Sequence, residues 1–175
     1  MQNEEQQSLK HDFTFGGGPT NSYYFANGLG ILYEVMFKPS GYLFPDNPAF
    51  NNDVYEFIIR IEENIVQINP PPDPLLPPTI AAIFRDFFKR EGAVVVYICD
   101  SSDGRQAVRF RKFNSWYSYF ESKGSPLMKI DLEFDDNGHP VYTSLILQAK
   151  HPLFQQIIVA YQKLILWADN DDKQS

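Results

Sequence analysis

The stretch that most restricts the fold is Ala93-Val94-Val95-Val96-Tyr97-Ile98-Cys99, an almost unbroken apolar run between Gly92 and Asp100. A strand with one wet face alternates apolar and polar residues. A run without alternation is the mark of a strand buried on both faces. The chain must therefore place this strand inside a sheet and lay further structure over each side. With 175 residues, 43% of them hydrophobic and including 15 Phe and 10 Tyr, it has the material to do so.

The surrounding segments supply the layers. Tyr23–Ala26, Asn27-Gly28 and Ile31–Phe37 read as a hairpin, because Asn-Gly provides the positive φ angles of a tight turn. Val54–Ile61 is a third strand. Residues 69–78 contain six prolines, which favour an extended polyproline conformation and read as a rigid connector. A helix follows from Thr79 to Glu91, with Ile80, Ile83, Phe84, Phe87 and Phe88 at helical spacing and Gly92 suited to the position after its end. After the apolar strand comes a helix over Arg105–Ser122. Strands Met128–Phe134 and Val141–Gln148 flank the turn Asp135–Pro140, and a last helix begins at Pro152. The expectation is an α+β domain over 13–169, order βββ-α-β-α-ββ-α, with a mixed or mainly antiparallel sheet of about six strands and three helices. Residues 1–12 read as a frayed tail, Gly16-Gly17-Gly18-Pro19 as a linker, and 170–175 as an acidic tail.

Charge and cysteine content narrow the functions. A formal net charge of −7 disfavours broad nucleic-acid binding, since a polyanion meets net repulsion. Cys99 is the single cysteine, so no intrachain disulfide can form, and beside His11, His139 and His151 it makes no zinc pattern. Glu133–Gly138 has oxygen ligands before a glycine, but Ser144 stands where a calcium loop needs a bidentate glutamate. No metal or cofactor is expected. The polar start MQNEEQQSLKHD lacks an apolar signal core, and no apolar run reaches membrane-spanning length. The expectation is a cytoplasmic protein without a membrane partner.

The residues that could carry a site cluster where the apolar strand meets its helix. Asp103 followed three residues later by Gln106 has the spacing of a capping box. Asp100 stands where the strand leaves the sheet, a common location for functional groups. From Gly104 to Phe120 there is no acidic residue, while Arg105, Arg109, Arg111 and Lys112 are basic. At 100° per residue Arg105, Arg109, Lys112 and Trp116 fall within about 60° of one another, beside a core face of Phe110, Phe113, Tyr117 and Phe120. Two readings are open. The stripe binds an anion or a partner with Trp116 as a stacking surface, or the arginines pair with Asp100, Asp131 or Glu133 and serve the fold.

Tyr97-Ile98-Cys99-Asp100, Asp103, Arg105-Gln106, Arg109, Arg111, Phe113 and Trp116-Tyr117, with Thr79-Ile80 before them, resemble a family of uncharacterised bacterial proteins, chiefly from Bacteroidetes, over most of the chain from Tyr23 on. No activity is implied by that resemblance. The order βββ-α-β-α-ββ is also similar to the later part of the acetyl-CoA-dependent N-acyltransferases. In that family a strand leads into a helix opening Asp/Asn-x-x-Ala, a flavour shared by Asp103–Phe110. The resemblance implies an acyl-CoA enzyme with Asp100 or a tyrosine as acid or base. The loop that should hold pyrophosphate corresponds to Glu63–Pro78, which contains six prolines and no glycine. The leading expectation is a small binding or interaction protein with an unknown protein or anionic small-molecule partner, with a homodimer open. Its candidate residues are Asp100, Arg105, Arg109, Lys112 and Trp116, and the acyltransferase is the alternative.

Overall fold

The computed structural model describes residues 9–171. Its centre is the apolar strand, β5 (Val94–Cys99). Before it come β1 (Phe13–Gly17), β2 (Ser22–Ala26), β3 (Leu32–Pro39), β4 (Val54–Glu63) and helix α1 (Leu76–Phe87). After it come α2 (Gln106–Ser122), β6 (Leu127–Asp136), β7 (His139–Gln148) and α3 (Phe154–Asp171). The strands form one sheet in the order β1-β2-β3-β4-β5-β7-β6. Its pairs are antiparallel except β4–β5, which is parallel. The class is α+β with three helices, as the sequence implied, on seven strands rather than about six.

Alternation along β5 explains its composition. Val95, Tyr97 and Cys99 face a core shared with α1 and α2, where Phe37, Phe57, Phe84, Phe87 and Phe113 meet. Val94 and Val96 face a second core with Leu145, Leu147, Ile157 and Tyr161, closed at one end by Phe44 and Phe50 of the β3–β4 connection. A polar residue at either parity would lie under a helix or an aromatic cluster, so none occurs. Phe37 stacks on Phe87 with ring centroids 3.8 Å apart, fixing α1 across the middle of the sheet.

Several sequence expectations change. The Gly16–Pro19 linker and the supposed tail are partly ordered structure. β1 pairs with β2 through Phe13↔Phe25 to Gly17↔Ser22, with an irregularity between Phe15 and Gly17. His11 anchors the approach to β1: its Nε2 lies 2.6 Å from Asp73 Oδ2, its ring stacks on Phe25, and its N–H donates to Thr79 Oγ1. The chain before β1 thus clamps the proline connector onto the start of α1, a contact between residues over sixty apart that no local pattern encodes. α1 also starts earlier than expected, at Leu76, with its prolines in the first turn, where a missing N–H costs nothing.

The β2–β3 hairpin is present, but its turn is longer than Asn-Gly. Positive φ falls at Gly30, and Asn27 Oδ1 accepts from the N–H groups of Leu29 and Ile31. The tight Asn-Gly turn occurs instead at Asn137-Gly138, where both residues have positive φ (52° and 83°) between β6 and β7. α3 continues through Asn170 and Asp171, which the sequence assigned to the tail, and 172–175 lie outside the described residues. Among the described residues no helix is long and apolar enough to cross a membrane.

Candidate functional site

β5 ends at Cys99, and the chain reverses through Asp100–Gly104 into α2. Three local devices make that reversal. Asp100 Oδ1 accepts from both the backbone N–H and the hydroxyl of Ser102. Gly104, at φ +69°, donates to the Ser101 carbonyl. Asp103 Oδ1 accepts from the Arg105 N–H at 3.0 Å.

Arg109, one turn into α2, ties the reversal together. It donates to Asp103 Oδ2 at 2.6 Å and to the Asp100 carbonyl at 2.8 Å, and lies 3.6 Å from Asp100 Oδ1. The Ser102 hydroxyl and amide, then the Arg109 charge, hold the Asp100 carboxyl below the usual range. The Arg105 amide and the Arg109 guanidinium do the same for Asp103. Both are settled anions, and neither has the raised affinity for protons that a general acid or base at neutral pH requires.

The capping box does not form. Asp103 bonds the amide at the cap position itself, and the helix N-terminus has no side-chain cap. Gln106, instead of reaching back, is buried, and its Oε1 has no hydrogen-bond partner among the described residues. Cys99 is fully buried, and burial pushes its thiol pKa up against the opposing pull of the Tyr97 hydroxyl and Arg109. A thiol in that setting is inert.

Trp116 is not an exposed stacking surface. It is 8% exposed and sits with Ile80, Ala81 and Phe84 of α1 and with Phe113, Tyr117 and Phe120 of its own helix. α1 packs beside α2 on the flank where the stripe runs, and the indole, as the largest apolar group there, fills the crevice. Lys112 stays at the surface with its ammonium 5.5 Å from the indole centroid. The structure therefore joins Asp100 to Arg109 and Lys112 to Trp116, and leaves the Arg105 side chain exposed, with no ion pair among the described residues.

The family model for DUF6169, a family of unknown function, matches residues 72–163. The chain belongs to the DUF6169 family. The DUF6169 segment takes in α1, β5, α2, β6, β7 and most of α3, so it holds the central strand and both covering layers, while β1–β4 lie outside it. No curated protein and no solved structure matches the chain.

Within the DUF6169 segment, charge is strongly segregated. Residues 79–124 carry eight Lys and Arg against five Asp and Glu, whereas the rest of the chain carries seven against seventeen. Arg105 at the start of α2 and Val108, Arg111, Lys112, Ser115 and Ser118 along its outward arc are all exposed, and none is acidic. Arg111 was outside the stripe drawn from the helical wheel. It belongs to the accessible face because α1 covers the Trp116 flank and moves the exposed arc toward Ser115. The wheel angle was legible in the sequence, but the position of α1 was not.

An open groove of about 660 Å³ lies on the opposite side of the sheet, between Leu43–Asn47 and α3, lined by Gln155, Val159, Lys163 and Leu164 among others. Among the described residues, no three His, Cys, Asp or Glu side chains come together as a metal site.

Proposed function

We propose that this DUF6169 protein is a cytoplasmic bacterial binding protein that docks an acidic protein surface on the outward face of α2. The observation that carries the reading is the exposed row Arg105, Arg111 and Lys112, without an acidic neighbour on its face, in a layer of net positive charge on a chain of net charge −7. Long-range attraction of this kind steers encounters and selects partners of opposite charge. The face is a row of exposed side chains along one helix, a form that suits a protein partner better than a small anion. Arg109 and Trp116 serve the fold, so the binding cations are Arg105, Arg111 and Lys112.

Immobilised poly-L-glutamate tests this. The full chain should be retained at low ionic strength and released as salt rises. The Arg105→Ala/Arg111→Ala/Lys112→Ala variant should pass through. Co-elution of the triple variant with the parent chain would overturn the assignment.

One observation favours the acyl-CoA reading as a second possibility. β4 and β5 pair only from Val54↔Val94 to Glu56↔Val96 and then part, opening strand edges near the carboxyl ends of two parallel strands, where ligands enter sheets of this kind. Two features oppose it. On the helical side, the rings of Phe57, Tyr97 and Phe113 fill the divergence. At the α1 N-terminus, the Leu76 and Thr79 amides are already bonded to Asp73 and Leu75 carbonyls, and Pro77 and Pro78 have none to offer a pyrophosphate. A rise in Tm with acetyl-CoA that is absent with adenosine alone would favour this reading over the first.

A further inference from the structure

The groove of about 660 Å³ between Leu43–Asn47 and α3 has the size of a site for a small ligand. Its walls are fixed by the fold itself. On one side the chain turns tightly: the Phe44 carbonyl accepts from the Asn47 N–H, and the Asn47 carbonyl accepts from the N–H groups of Phe50 and Asn51. Phe44 and Phe50, with ring centroids 5.4 Å apart, root that turn in the second core. On the other side Ile157 and Tyr161, buried in the same core, hold α3 down. The small Ala160 leaves depth between the helix and Phe44, both of which line the groove.

Leu43, Phe44, Val159, Ala160 and Leu164 supply apolar lining. The polar side chains are Asp46, Asn47, Gln155, Gln156 and Lys163, and none of these five has a hydrogen bond or an ion pair among the described residues. Elsewhere the chain joins its surface charges to each other, as in Lys89–Asp86 and Arg109–Asp103.

These groups select the ligand. A fatty acyl chain would strip water from three carboxamides and a carboxylate and replace none of their hydrogen bonds. A nucleotide base needs a ring face to stack on, and Phe44, the single ring among the lining residues, is 1% exposed. A polyphosphate would meet one cation beside one carboxylate, and a neutral sugar would leave Lys163 and Asp46 both without a partner. Carboxamides donate and accept at once, as peptide units do.

We propose that the groove binds a short apolar peptide by both of its free ends. Lys163 takes the carboxylate and Asp46 the ammonium, while the carboxamides of Asn47, Gln155 and Gln156 pair with the backbone between them. The peptide's apolar side chains lie along Val159 and Leu164. From Gln156 to Lys163 the helix advances roughly 10 Å, the span of about three extended residues, so the ligand is a tripeptide. The groove is on the other side of the sheet from the α2 face and acts independently of it.

Titrating the isotope-labelled full chain with the tripeptide Leu-Ala-Leu, read by amide chemical shifts, tests the site. Shifts should concentrate at 43–47 and along α3 and saturate by millimolar peptide. Amidating the carboxylate or acetylating the amine should each weaken binding about tenfold, the effect of losing one charge-assisted hydrogen bond. Lys163→Met should weaken binding of the free peptide by the same factor and leave the amidated peptide unaffected. Asp46→Asn should likewise weaken only peptides with a free amine. Both positions are exposed, so the fold tolerates both changes. Val159→Trp, at a position 48% exposed, fills the groove from its rim and should abolish binding, with folding checked by circular dichroism.

A parent chain that shows no shifts at millimolar peptide, shifts centred away from the groove, equal binding of a doubly blocked peptide, or undiminished binding by folded Val159→Trp would each overturn the proposal. Tighter binding of decanoate at the same residues would also overturn it and make the groove an acyl-chain site.

Discussion

Replacing Phe113 with alanine measures how far the divergence between β4 and β5 depends on the ring that fills it. Phe113 is 1% exposed, and its ring centroid lies 4.3 Å from Tyr97, 5.5 Å from Phe57 and 6.4 Å from Phe84. Removing the ring forfeits about 2–3 kcal/mol of transfer free energy. It also leaves a cavity between two strands that cannot close on each other, because α1 and α2 hold the layer above them apart. Sites that cannot collapse lie at the upper end of the range for such truncations, so the expected cost is about 4 kcal/mol. At roughly 2–4 °C per kcal/mol for a domain of this size, Tm should fall by about 10 °C.

Urea unfolding followed by intrinsic fluorescence gives the value directly, with an unchanged m showing that the unfolded state is the same. Phe113→Leu keeps most of the volume and should cost no more than about 1.5 kcal/mol. A loss below about 1 kcal/mol for Phe113→Ala would refute the claim that this ring plugs the gap. The space between the strands would then be open, and the acyl-CoA reading would gain.

Two further predictions concern charge. Glu34 is buried on the sheet face away from α1, and burial alone would raise its pKa. The Ser22 hydroxyl, Arg60 and the Tyr24 hydroxyl outweigh burial and hold its carboxyl below the usual range. A depressed folded pKa stabilises above the unfolded value near about 4.3, and that stability is lost as pH falls through the folded value. Urea midpoints should therefore show the parent chain well ahead of Glu34→Gln at neutral pH, with the lead shrinking on acidification; a constant gap would refute the role given to the carboxylate. Arg109→Ala should lower stability by about 1 kcal/mol through loss of its bonds to Asp103 and the Asp100 carbonyl, whereas Arg111→Ala should change it by less than about 0.5 kcal/mol. Equal effects in thermal unfolding would contradict the division of α2 into a structural arginine and surface ones.

The sequence carried the fold further than the site. The unbroken apolar run of β5, the helical spacing of Ile80 to Phe88 and the β-forming run from Val54 each report a local preference in agreement with the tertiary structure. β1 escaped because three consecutive glycines read as a break, and its pairing with β2 is visible only once Phe13 meets Phe25. His11 escaped for a related reason, since Asp73 and Thr79, its partners, are more than sixty residues away.

At the site, Asp100, Asp103 and Arg109 do lie together, and the pairing of an arginine with Asp100 was one of the two open readings. Trp116 misled because a helical wheel gives angles without saying which arc a neighbouring helix will cover. Arg111 was discounted by the same error with the opposite sign.

The three residue pairs between β4 and β5 have a consequence for how the molecule comes apart. They join segments forty residues apart in sequence, whereas the hairpins on either side close over short loops. Contacts of long sequence separation form late, because the entropy of closing the intervening chain must first be overcome. The meander β1–β4 and the hairpin β6–β7 are accordingly zones of early local order, and β5 joins them late, through its narrow parallel seam with β4 and through a pairing with β7 that spans 43 residues at Cys99↔Tyr142 and 53 at Val94↔Leu147. Native-state hydrogen exchange should find the amides of that seam opening at lower free energy than those in the middle of β3 or β7. The DUF6169 match begins at residue 72, in the connector between β4 and α1, so the seam joins a strand outside the matched segment to one inside it.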